Sequence, residues 1–148
     1  MNRMKIRRAF LTIITVLFPV LSVAQSNPAV GLWKNEEPTR TIYIRTSEEA
    51  GKLVGKVEKI VKNGAEDTTG TCSKCQGDNK DRPVLGMTII WDMQKEKDTA
   101  KWSGGKILEP DTGKIYACRI EPSPDGGKLN VRGSIAFLGK TQTWTRVE

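Results

Sequence analysis

The chain has 148 residues, with 24 basic and 17 acidic side chains, a net charge of +7 and no histidine. Without histidine the commonest general base and the commonest metal ligand are both missing, so Ser-His-Asp and Cys-His nucleophilic arrangements are excluded. The basic residues are scattered among acids rather than gathered into a stripe, which argues against nucleic acid as a partner.

Residues 1–24 read as a cleaved secretory signal. Arg3, Lys5, Arg7 and Arg8 precede an apolar run from Ala9 to Ala24, interrupted by Thr12, Thr15, Pro19 and Ser22. Ser22-Val23-Ala24 then offers small residues at the two positions a signal peptidase reads. The run is too short and too broken for a transmembrane anchor, which needs about 20 apolar residues. No cysteine sits at the cleavage point, so a lipoprotein anchor is not supported. The expectation is an exported protein, periplasmic or extracellular in a Gram-negative-type bacterium, with no transmembrane segment after cleavage. The signal takes four basic residues with it and leaves 20 against 17 acidic, a weak +3. Residues 25–148 are one domain's worth of chain.

From Gln25 onward the hydrophobic pattern has period two, the period of half-buried strands. After a first run, Val30–Asn35, Ile42 and Ile44 oppose Thr41, Tyr43 and Arg45. In Lys52–Val61, Leu53, Gly55 and Val57 oppose Lys56 and Glu58. Met87, Ile89 and Trp91 alternate with Thr88, Ile90 and Asp92. Further strands are expected over Thr99–Leu108, Ile115–Ile120, Leu129–Ile135 and Thr141–Val147. Pro110-Asp111-Thr112-Gly113 and Pro124-Asp125-Gly126-Gly127 supply the fixed or positive φ that tight hairpins require. Ser103-Gly104-Gly105 lacks the strand–loop–helix setting of a phosphate cradle and reads as a bend or bulge in a strand. The long exception is the polar segment Lys62–Gly86, with a short helical turn expected near its end.

Eight strands joined mostly by short turns make a sandwich or a closed up-and-down barrel. Closure would bring the first and last strands together, so Trp33 would meet Arg146 at one end, indole against guanidinium. The segment from Gly104-Gly105-Lys106-Ile107 through Pro110, Gly113-Lys114 and Tyr116 carries a further signal. With Lys128-Leu129-x-Val131-Arg132-Gly133 and Thr141-Gln142-Thr143-Trp144-Thr145-Arg146-Val147, it resembles the motifs of the secreted bacterial family called domain of unknown function 2147. That resemblance covers essentially all of residues 25–148. It implies an all-β fold: an eight-stranded antiparallel, lipocalin-like barrel of calycin type with one long Cys-containing loop. The Gly31-x-Trp33 start fits the same comparison. Leu108-Glu109 departs from the family's aromatic followed by Asp. Gly31, Trp33, Gly104, Gly105, Pro110, Gly113 and Gly133 are the expected structural positions.

Chemistry has few places to reside. The acids, such as Glu36-Glu37, Glu48-Glu49 and Glu66-Asp67, fall mostly in turns and polar loops, where they read as solvated. Cys72 and Cys75 form a Cys-x-x-Cys. A structural zinc site needs four ligands, and only the distant Cys118 or an oxygen donor such as Asp78 or Asp81 is left to complete one. A redox pair usually sits beside a βαβ unit, which this chain lacks, although Lys74 would lower a thiolate pKa. Export favours oxidised thiols, so a local Cys72–Cys75 disulfide leads. The loop it clips is also a candidate lid on the barrel mouth. Cys118 reads as a small buried hydrophobe, or else as a partner for one of the pair. No metal, cofactor or catalytic residue is expected, and an enzyme is not.

The barrel interior is the remaining candidate, since eight-stranded barrels are either filled or hold one small ligand. Asn130, Arg132, Gln142, Trp144 and Arg146 could share one face, with Leu129, Val131 and Ile135 on the other. The alternation does not say which face points in. Tyr116, Arg132, Trp144 and Arg146 are the candidate ligand-binding residues, and a small hydrophobic or amphipathic molecule is the candidate partner. The alternative is a filled barrel serving as an interaction or envelope-maintenance module.

Overall fold

The structure, a computed structural model, describes residues 26–148. The expected signal segment, residues 1–24, lies outside the described residues. Nine strands follow in order: β1 (Gly31–Glu37), β2 (Arg40–Glu49), β3 (Lys52–Lys62), β4 (Ala65–Glu66), β5 (Thr88–Lys95), β6 (Trp102–Glu109), β7 (Lys114–Pro122), β8 (Lys128–Ile135) and β9 (Leu138–Arg146). All but β4 close into one antiparallel barrel, and the seam is β1 against β9 through Trp33↔Arg146 and Lys34↔Thr145. β4 folds back on the end of β3 and adds a short edge outside the ring. The eight expected strands are therefore all present. β4 and a single 3-10 turn at Gly77–Asn79 lie within the long polar segment.

Simple alternation fails in β3, where Glu58 and Lys59 both face out between buried Val57 and Ile60, and at two bulges that shape the neighbouring strands. Ile89 and Ile90 are both buried, as is Met93, while Trp91 is half-buried. The strand resets its face at Asp92, a non-glycine residue at φ 58°, so Ile89 in the open half and Met93 in the filled half both point inward while Trp91 between them is half-buried. The second bulge lies in β6, where pairing with β7 shifts register between Trp102 and Gly105. Gly104 takes φ 76° there. A Cβ on Gly105 would collide with the Trp91 carbonyl oxygen and the Met93 sulfur, so β6 lies against β5 only because this position has no side chain.

The two ends of the barrel differ. At the end where β1 begins and β9 finishes, Trp33, Leu53, Met93, Trp102, Ile120 and Leu129 are fully buried and fill the interior. Burying an indole removes about 150–250 Å² from water, which by area contributes roughly 4–6 kcal/mol for each tryptophan. The Trp33 Nε1–H donates to Thr46 Oγ1 at 2.9 Å, and that hydroxyl donates to the Ala29 carbonyl at 2.6 Å. The Trp102 Nε1–H is buried without a partner among the described residues, and nothing in the packing accounts for it.

Arg146 closes this end. Its guanidinium carbon lies 4.2 Å from the centre of the Trp33 ring. Its Nε donates to the Gly126 carbonyl at 2.5 Å, Nη1 to the Val30 carbonyl at 3.0 Å, and Nη2 to the Pro28 carbonyl at 2.6 Å. One planar fork thus ties the segment before β1, the β7–β8 turn and the seam strand together over the indole face. Lysine has no such fork.

Candidate functional site

The opposite end is open. Between the β1–β2, β6–β7 and β8–β9 turns lies a cavity of about 550 Å³. Its walls are Ile42, Ile44, Ile89, Ile107 and Val131, and Trp144 is the deepest β9 residue that lines it. The β8–β9 register explains this lining. Leu129 pairs with Trp144, Val131 with Gln142, and Ile135 with Leu138, so apolar β8 residues share the inner face with Gln142 and Trp144. Asn130 and Thr143 pair on the outer face, where the Thr143 hydroxyl lies 3.0 Å from Asn130 Oδ1. The two sets that looked like opposite faces in the sequence are thus mixed. The inner face takes the apolar half of β8 together with the aromatic and amide half of β9.

A polar amide station sits in the wall. Gln142 Oε1 accepts the Trp144 Nε1–H at 3.3 Å and an Asn35 amide N–H at 3.4 Å. Gln142 lines the cavity, and its side-chain NH2 has no hydrogen-bond partner among the described residues. At the rim, Arg40 donates to Glu37 at 2.7 Å and, through both terminal nitrogens, to the Asp111 carboxylate. The β1–β2 turn is thereby strapped to the β6–β7 turn across the mouth. Partial burial works against the Arg40 charge, but the bonds to Asp111 and Glu37 outweigh it and hold the guanidinium above the usual arginine pKa. Tyr116, also on the wall, donates its hydroxyl to Glu109 at 3.2 Å. Desolvation and the Glu109 charge push its pKa up, so it stays a neutral donor.

Of the four binding residues expected from the sequence, Tyr116 and Trp144 line this cavity. Arg132 is exposed on the outer face beside Thr141, and Arg146 is at the closed end on Trp33. The structure does not bring those two arginines into the cup. The residues that the sequence reading did not single out are Asn35 and Arg40. Asn35 follows Trp33 at an inward position of β1, and a polar residue in that alternation was its only signal.

Cys72 and Cys75 form a disulfide, with a Cα–Cα distance of 5.3 Å, and both are buried. The loop is not a lid, because no residue from 67 to 86 lines the cavity. It docks instead on the outside of the β6–β7 turn. Cys72 Sγ lies 3.2 Å from the Pro110 carbonyl oxygen, and a side chain on Gly113 (φ 69°) would collide with the Lys74 carbonyl. The clip therefore supports the turn that carries Asp111 to the Arg40 strap. Cys118 is a free, buried thiol whose pKa is pushed up to about 12 by desolvation. Among the described residues no group of three or more Cys, Asp or Glu is placed to hold a metal ion.

Residues 31–146 match a family described as an uncharacterized protein conserved in bacteria, domain of unknown function 2147. The chain belongs to that family. Its fold is similar to that of a solved structure from Helicobacter pylori, HP1028, described as belonging to the lipocalin family. The TM-score is 0.69 at 20% identity, over 80% of this chain and 82% of that one. At that identity the likeness speaks for the lipocalin-like barrel and nothing finer. No curated protein sequence matches the chain. For this member of the family, function has to be argued from the cup itself.

Proposed function

We propose that this protein is an exported, non-enzymatic carrier that holds one small apolar or amphipathic molecule in the open half of its barrel. The observation that carries the proposal is the cavity of about 550 Å³, walled by isoleucine, valine and tryptophan, with one amide station and a charged rim. Pockets of this size and lining suit drug-sized ligands. The apolar part of the ligand packs on Ile44, Val131 and Trp144, a polar group meets the Gln142 amide, and a charged end stays at the mouth near Lys114 and Lys140. Lipocalin-like architecture, also found in HP1028, is compatible with that use. The Cys72–Cys75 disulfide and the sequence of residues 1–24 fit an oxidising, exported setting.

The test is a titration of purified protein with a fluorescent single-chain fatty acid. Binding should saturate at one molecule per chain and quench the fluorescence of Trp144. Ile42→Trp, which fills the half-buried wall, should weaken binding at least about tenfold. Binding that does not saturate, or that ignores Ile42→Trp, would sink the carrier reading in favour of a barrel used only as an interaction module.

A further inference from the structure

Among the described residues, the most exposed large apolar side chains gather at the mouth of the cup. In the β8–β9 hairpin, Phe137 is 91% exposed, Leu138 68% and Ile135 51%. Ile115, 49% exposed, lies on β7 two residues before Ala117, which pairs with Ser134 near the same tip. A two-residue hairpin turn normally carries Asn-Gly or a similar pair, because positive φ is needed. Here the turn is Ala136-Phe137, with Ala136 at φ 52°. Polar, relaxed turn chemistry is replaced by an apolar residue held out into solvent, at a cost in backbone strain.

The charge around the tip has one sign. From Gly126 to Val147 there is no acid, while Lys128, Arg132, Lys140 and Arg146 are basic. Arg132 and Lys140 flank the tip on β8 and β9, and Lys114 adjoins Ile115. None of these three makes a salt bridge among the described residues. The acids of the mouth lie on other turns: Glu37 and Asp111 share Arg40, and Glu109 accepts from the Thr112 and Tyr116 hydroxyls. Ile135 and Leu138 are also lip residues of the cavity, so the exposed apolar surface runs without a break into its wall.

We infer that the Ile135–Leu138 tip docks on a lipid bilayer carrying anionic headgroups, inserting Phe137 into the interface with the mouth of the cup facing the lipid. An apolar tip with a basic collar is the pattern that binds such surfaces, each basic residue near an anionic leaflet adding about fivefold in affinity. The inference extends the carrier reading by giving the ligand a source and a dry path, but its readout is separate.

The experiment is co-sedimentation of the purified protein with vesicles of phosphatidylglycerol and phosphatidylethanolamine, or of phosphatidylcholine alone. Binding is expected to the anionic vesicles, to weaken as salt is raised, and to fall at least about tenfold in Phe137→Glu. Phe137→Trp should bind like the parent and be quenched by brominated acyl chains. Phe137 does not line the cavity, so Phe137→Glu should still take up the fatty-acid probe in the absence of vesicles. Loss of probe binding in the parent would remove the carrier reading and leave the docking result standing. Equal sedimentation of parent and Phe137→Glu would overturn the docking inference. So would a failure of the parent to sediment, including the case where it instead self-associates and Phe137→Glu makes it monomeric.

Discussion

Arg146→Ala removes the closure of the barrel's filled end, and its cost can be worked from the contacts. Three main-chain carbonyls, those of Pro28, Val30 and Gly126, lose a charged donor. A hydrogen bond to a charged group contributes about 1.5–3 kcal/mol, but these carbonyls are near the surface and water recovers much of it. Taking about 1 kcal/mol each, and adding about 1 kcal/mol for the guanidinium over Trp33, gives roughly 4 kcal/mol. For a domain of this size that lowers Tm by about 15 °C. Arg146→Lys keeps the charge and loses the fork, so it should recover less than half of the loss. Urea and thermal unfolding followed by tryptophan fluorescence measure both variants. The cup is at the other end, so probe affinity per folded molecule should not change. A loss below about 1 kcal/mol for Arg146→Ala, or full rescue by lysine, would show that the stacked fork does not hold the seam.

Two further perturbations follow from the same structure. The Cys118 thiol is raised to about 12 from an ordinary 9 by burial, so between those values the folded state holds a proton that the unfolded state has released. Its contribution is complete below about pH 9 and is lost as pH rises toward 12, at up to about 1.4 kcal/mol per pH unit. Urea unfolding from pH 8 to 11 should therefore show a steeper alkaline loss in the parent than in Cys118→Val, and identical slopes would refute the assignment. Ala136→Gly relieves the φ of 52° at the β8–β9 turn and should stabilise the protein by about 0.5–1 kcal/mol while leaving vesicle binding intact. A neutral or destabilising result would mean that the turn is not strained.

The strands were legible because each face of a barrel strand repeats every two residues, and the turns were legible because Pro-Asp-Gly chemistry is local. The Cys-x-x-Cys could be read as a clip from its setting alone. What the sequence hid depends on distant pairing. Alternation shows that Val131 and Arg132 point opposite ways, but only the β8–β9 register shows that Gln142 and Trp144 join Val131 inside. Arg146 looked like a binding residue because it shares a strand face with Trp144; the end of the barrel it occupies depends on carbonyl partners from segments up to 118 residues away. The Asp92 bulge carried no glycine to announce it. The loop's docking on Gly113 is a contact between surfaces that neither segment encodes by itself.

The central claim is that the barrel is filled at the Arg146 end and hollow at the Arg40 end, and that the hollow half holds a ligand. Native mass spectrometry of protein purified without delipidation, then offered single-chain fatty acids, tests it most directly. One retained or added molecule per chain is expected, present in Arg132→Ala and lost in Ile42→Trp. A spectrum showing only empty protein before and after the fatty acids are added would contradict it.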